Sequence, residues 1–184
     1  MKRAFDVDDV VLVGDQGDGT VGKRGKVTRI IGSSRVEVEY THEFNPTKQV
    51  VGVEHVVRAL DVEAATLAFL QTAFECETDE SDDSGGLPID DNYVLDDLDE
   101  AARKEAESDV ASFCDTYDVA LLAWENGISA EDIGINFYLS RNRHGTGFWD
   151  RGYGKAGEAL HERAKVHGTY GLMAGDDGKV YHHG

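Results

Sequence analysis

Between Asp9 and Ala59 the apolar residues fall in short β-branched runs: Val10-Val11-Leu12-Val13, then Val27-Thr28-Arg29-Ile30-Ile31, then Arg35-Val36-Glu37-Val38-Glu39-Tyr40. Period two in the last of these puts two valines and a tyrosine on one face of a strand and charged residues on the other. Val50-Val51 and Val56-Val57 add two β segments, and Gly14-Gly17-Gly19, Ser33-Ser34 and Asn45-Pro46 punctuate the series. Short strands with such turns predict a small β-barrel.

At Asp61 the period changes. Asp61 reads as an N-cap, and Val62, Ala65, Phe69 and Ala73, widened by Leu70 and Phe74, predict a buried helix. The polar stretch 75–93, broken by Gly85-Gly86 and Pro88, reads as a loop. Asp97 with Glu100 resembles a capping box opening a helix to about Tyr117, with Leu98, Ala102, Ala106, Val110, Phe113 and Tyr117 as its apolar stripe. A further apolar run covers Val119–Trp124. Ser129 and Asp132 read as the cap of a single turn, Ile135–Leu139 as a strand and Ala156–Val166 as a helix. Thr169–Met173 and Lys179–His182 read as a hairpin around Gly175-Asp176-Asp177-Gly178. The expected fold class is therefore α+β: an N-terminal small β-barrel over residues 1–60, then an acidic α+β domain with a small antiparallel sheet over 61–184.

Charge sharpens this division. The 184 residues carry 36 acids against 18 lysines and arginines, net −18, but residues 1–60 are neutral and residues 141–184 carry net +2. Residues 61–140 hold 22 acids and 2 bases, net −20. A surface so charged repels nucleic acid and anionic lipid, so neither direct nucleic-acid binding nor membrane binding is expected. No run approaches the roughly 18 apolar residues that cross a bilayer. Asp6, Asp8 and Asp9 stand where a signal peptide would be apolar. Cys76 and Cys114 lie in helix-like apolar contexts without a CxxC spacing and read as free thiols of a cytoplasmic protein.

Duplex DNA carries one charge per roughly 1.7 Å, so −20 matches roughly 34 Å, about ten base pairs. Displayed on one face, these carboxylates would imitate a short duplex. The candidate partner-binding residues are Asp79, Glu80, Asp82, Asp83, Asp90, Asp91, Asp96, Asp97, Asp99, Glu100 and Glu107. A solvated acidic surface is the plainer alternative. Within the same stretch Glu80, Asp82, Ser84, Gly85 and Asp91 fall at positions 1, 3, 5, 6 and 12 of an EF-hand-like loop. That spacing lacks the Asp at position 1 and the Glu at position 12, and Pro88 interrupts it. No metal or other cofactor is expected, and His182-His183 reads as an exposed tail.

The densest aromatic and polar cluster is Ser140–Gly154, "SRNRHGTGFWDRGYG". Arg141, Asn142, His144, Trp149, Asp150 and Arg151 admit two readings. They make an acid/base site with a cationic clamp, or a structural loop in which Phe148 and Trp149 plug the core and Asp150 pairs with an arginine.

Gly134, Phe137, Leu139, Arg141, Asn142, His144, Gly145, Gly147, Phe148, Trp149, Asp150, Arg151 and Gly152, with Asp176, Asp177, Gly178 and Tyr181, form a long pattern, RNxHGxGFWDRG…DDGxVY. Over about residues 72–181 it resembles a family of small acidic proteins encoded mainly in phage and prophage genomes. The chain departs from that family at Ile135 and Asn136, where His and Asp are usual, and at Arg143, where Gly is usual. The missing His-Asp pair weakens a catalytic role. Gly22–Tyr40, with "GKRGKVTRI" and "RVEVEY", resembles the KOW-type element of SH3-like barrels, domains that contact RNA or proteins. Lys23, Arg24, Lys26 and Arg29 are offset by acids elsewhere in the module, which favours protein contact or internal packing.

The expectation for function is an acidic phage-type binding protein, acting in the host cytoplasm as a nucleic-acid mimic. Its partner would be a host restriction or CRISPR nuclease, or another protein with a basic nucleic-acid-binding surface. A small enzyme or nucleotide-binding module built on Arg141, His144 and Asp150 is the alternative, as is a phage structural or assembly protein. A homodimer is compatible with the sequence.

Overall fold

A computed structural model of the chain describes residues 4–14, 23–40, 47–80 and 86–183. The fold class is α+β, with antiparallel sheets and five α-helices among those residues. Contacts divide the chain into two units. The first comprises Met1–Leu60 and Cys114–Ile128; the second comprises Asp61–Phe113 and Ser129–Gly184. Cys114–Ile128, which lies within the stretch 61–184 expected as one domain, packs with the N-terminal strands.

The first unit holds β1 (Val10–Val13), β2 (Lys23–Ile31), β3 (Arg35–Tyr40), β4 (Thr47–Gly52) and β5 (Val56–Arg58), in the order β4-β3-β2-β1-β5 and antiparallel throughout. A 3-10 turn, Val53–His55, joins β4 to β5. Among the described residues β4 and β5 remain unpaired edges, so the observed sheet is open and not the closed barrel expected. Alternation works as anticipated in β3: Val36, Val38 and Tyr40 are buried with Phe5, Val11, Val13, Val27 and Val56. From Val11 to Val13, β1 is buried on both faces, while Val10 at its start is exposed. Leu12 and Val57 pack on the opposite face against Ala120 and Leu121 of α3 (Tyr117–Asn126). That second apolar face is why the Val119–Trp124 run folds back onto the sheet. Of the basic residues in β2, Arg24 pairs with Asp115 and Lys26 with Asp8 at 2.8 Å.

The second unit is built on α1 (Val62–Cys76) and α4 (Ala130–Arg141), with α2 (Glu100–Cys114) and α5 (Lys155–Lys165) around them. Asp61 caps α1 as expected, accepting from the Ala64 amide at 3.1 Å. α4 corrects the expectation of a strand over Ile135–Leu139. Ser129 does cap it, accepting the Asp132 amide at 3.1 Å, but the helix runs on for 12 residues. Its apolar run is a helix buried on nearly every side, a pattern that periodicity does not separate from a buried strand. Gly134 permits the α1–α4 approach: a Cβ there would sit 2.0 Å from the Ala65 carbonyl oxygen.

Aromatic rings fill this core. Phe113 stacks on Phe137 at 4.3 Å, and Phe69 meets Phe137, Tyr138 and Tyr170 at 5.1–5.5 Å. Two short strands, β6 (Thr78–Asp79) and β7 (Leu87–Pro88), precede α2. The expected C-terminal hairpin forms from β8 (Gly171–Ala174) and β9 (Val180–His183). His182 is thus part of a strand and not of an exposed tail; its Nδ1 lies 3.0 Å from Glu105 and its ring stacks on Tyr170. Among the described residues no helix is long and apolar enough to cross a membrane.

Candidate functional site

The acidic stretch is more ordered than a polar loop would be. Ile89 is fully buried and starts a 3-10 turn, Ile89–Asp91, its amide donating to the Glu77 carbonyl at 2.9 Å. A second 3-10 turn, Leu95–Asp97, leads to buried Leu98, and the Asp99 amide donates to Val180 of β9 at 2.8 Å. Apolar anchors at 89 and 98 therefore hold the intervening carboxylates at fixed places. α2 ends at Cys114, short of the Tyr117 expected; it turns Ala102, Ala106, Val110 and Phe113 to the core and most of its charges, Asp109 excepted, outward.

The eleven candidate carboxylates separate by burial. Glu80, Asp90, Asp91, Asp96, Glu100 and Glu107 are exposed. Asp97 and Asp99 are half-buried caps: Asp97 accepts the Val94 amide at 3.0 Å, and Asp99 accepts the Ala101 amide at 2.8 Å. The helix cap is thus Asp99, two residues beyond the Asp97 that the capping-box spacing suggested. Asp79 departs most from expectation. It is 2% exposed and accepts from Asn92 Nδ2 at 3.1 Å, so it braces the turn and lies outside the outer surface. Asp82 and Asp83, with Ser84 and Gly85 of the EF-hand-like spacing, lie outside the described residues. Among the described residues, no group of three or more His, Cys, Asp or Glu side chains is placed to hold a metal ion. The acidic face also contains two bases. Lys104 reaches Glu100 at 2.5 Å, and Arg103 donates to the Leu95 carbonyl at 2.5 Å.

The second candidate cluster, 140–154, is held together by its own polar groups. Arg141 has a side chain only 2% exposed. It donates to Asp109 at 2.7 Å and to the Gly168 and His167 carbonyls at 2.8 Å each. Its guanidinium also faces the rings of Phe137, Phe69 and Tyr170 at 5.2–5.7 Å. Asn142 exchanges hydrogen bonds with the backbone of Tyr170, accepting its amide at 2.8 Å. Together these two residues tie the end of α4 to the chain entering β8. Ser140 Oγ accepts the Phe148 amide at 3.2 Å, and Gly147 leaves it room, because a Cβ there would lie 2.4 Å from that oxygen.

Asp150 caps the 3-10 turn Phe148–Asp150, accepting from Thr146 Oγ1 at 2.7 Å and from the Gly147 amide at 2.9 Å. The Thr146 hydroxyl first, then that amide, and nearby Arg151 hold its carboxyl below the usual range, the opposite of what a general acid needs. Arg151 donates to Asn136 at 2.9 Å. Phe148 is buried as expected, but Trp149 is 49% exposed and does not plug the core. His144 is exposed and stacks on Tyr138 at 5.5 Å. The sequence assigns no bracing role to Asp109, Asn136 or Ser140, because each is bonded to a residue 8–32 positions away.

Neither thiol is poised for chemistry. Cys114 is buried, which pushes it up to about 12, and Cys76, though exposed, is raised by desolvation and by Glu75, Glu77 and Asp90. No protein-family model, curated protein or solved structure matches the chain, so its own residues carry the functional reading.

Proposed function

We propose that the chain is a phage-type acidic binding protein that occupies the nucleic-acid-binding surface of a host defence protein in the cytoplasm. The observation carrying this reading is the mounting of Asp90, Asp91, Asp96, Glu100 and Glu107. They are exposed on short turns anchored by Ile89 and Leu98, and on α2. Carboxylates held at fixed places meet a basic cleft without the ordering cost that a loose acidic tail incurs. The loop at 140–154 supports the same choice over an enzyme, since Arg141, Asn142, Asp150 and Arg151 are engaged in closing the structure.

The first unit fits a protein-contact module. Its strand order and the 3-10 turn between β4 and β5 support an SH3-like assignment. Arg24 and Lys26, already paired with acids, are less available to RNA phosphates.

Affinity capture from host lysate on the immobilised chain tests the proposal. The expected outcome is retention of nucleic-acid-binding proteins that elute with rising salt or with added duplex DNA. Retained proteins that lack a basic surface, or that resist both eluants, would refute it.

A further inference from the structure

The acidic face borders a groove of about 520 Å³ between α1 and α2. Val62, Thr66, Leu67 and Leu70 line it from α1, and Arg103 and Glu107 from α2. Leu67 is a large apolar side chain of α1 that is 49% exposed, while Phe69, Leu70 and Phe74 of the same helix are buried. Below it Thr66, 7% exposed, has a hydroxyl with no hydrogen-bond partner, although Thr72 of the same helix bonds its Ala68 carbonyl at 2.8 Å. Apolar lining with a placed polar group is the usual make-up of a binding pocket, and the Thr66 hydroxyl is open to a partner here.

Charge around the groove selects its occupant. Glu63 and Glu107 are exposed on its rim against one base, Arg103, which keeps its charge but is held toward the Leu95 carbonyl, and α1 contains no lysine or arginine. We propose that this groove seats an apolar side chain of a lysine- or arginine-rich helical segment of the partner. The inference rests on the partner reading above and adds a contact that salt does not screen. Carboxylates would bring the segment in and set its orientation, and burial of Leu67 would then slow its departure.

A fluorescent amphipathic leucine–lysine peptide and an oligolysine of equal charge serve as probes, with binding read by anisotropy. The wild type is expected to bind the leucine–lysine peptide about tenfold tighter than oligolysine, about 1.4 kcal/mol of apolar burial. Leu67→Ser, a change at an exposed site checked by its circular dichroism melt, should abolish that preference and leave oligolysine binding unchanged. Equal affinity for both peptides, or a preference that survives Leu67→Ser, overturns the groove assignment while leaving the acidic face intact. If neither peptide binds, the partner reading fails with it. Sedimentation supplies the remaining arm: a dimer of the free chain dissolved by Leu67→Ser would give the groove to a second copy and overturn the proposal.

Discussion

Replacing Arg141 by methionine keeps most of the side-chain volume and removes the charge and all its donors. Asp109, 27% exposed, then loses its cationic partner, and the carbonyls of His167 and Gly168 each lose a 2.8 Å donor. Breaking one partner out of a buried pair costs about 3–5 kcal/mol. Gly168 is exposed, so water recovers part of one bond, and the lower end, about 3 kcal/mol, is the expected loss. With a denaturant slope of about 2 kcal/mol per molar urea, the unfolding midpoint should fall by about 1.5 M. Far-UV circular dichroism together with Trp149 fluorescence in a Trp124→Phe background reads this, since the two tryptophans lie in different units. Arg141→Lys should rescue little, because an ammonium cannot serve acceptors spread around a planar fork. Combining Arg141→Met with Asp109→Asn should give a coupling energy of at least about 1 kcal/mol. A midpoint shift below about 0.3 M, or no coupling, would refute the structural role of Arg141 in this loop.

Gly134→Ala places a methyl 2.0 Å from the Ala65 carbonyl oxygen, so α1 and α4 must separate; a loss of about 3 kcal/mol or more is expected in thermal or urea unfolding. His167 sits edge-on to Phe113 and Phe137, and burial lowers its pKa from 6.5 despite the opposing Asp109, with Arg141 adding to the decrease. Its contribution is therefore present above pH 6.5 and lost as pH falls through the lowered native value. A pH series of melts should show this acid loss diminished in His167→Phe. Titration with a disulfide reagent should label one accessible thiol, Cys76, slowly in the folded protein, and Cys114 only on unfolding.

How far the sequence reveals this molecule depends on the range of each interaction. Alternation in Arg35–Tyr40, the Asp61 cap and the Gly-Asp-Asp-Gly turn are local signals, and each marks its element. α4 hides because a helix buried all round has no polar face to display its period. The return of α3 to the sheet hides because the apolar second face of β1 gives no address for its cover. At the candidate site, composition points to the acidic stretch, in which Asp90, Asp91, Asp96, Glu100 and Glu107 are exposed. It could not single out Asp79 for burial, since that follows from a bond to Asn92 formed only when the turn at Ile89 docks. Arg141 was visible as a candidate, but its partner Asp109 is 32 residues earlier.

The most direct test of the central claim is the association rate between the chain and a captured partner, measured across salt concentrations. The wild type is set against a variant with Asp90, Asp91 and Asp96 changed to Asn, and Glu100 and Glu107 to Gln. Exposed charges act mainly on encounter. The wild-type rate should fall steeply with salt, and the variant's rate should be about tenfold lower at low ionic strength with little salt dependence left. A variant that associates as fast as the wild type, with the same salt dependence, would contradict the claim that these carboxylates form the binding face.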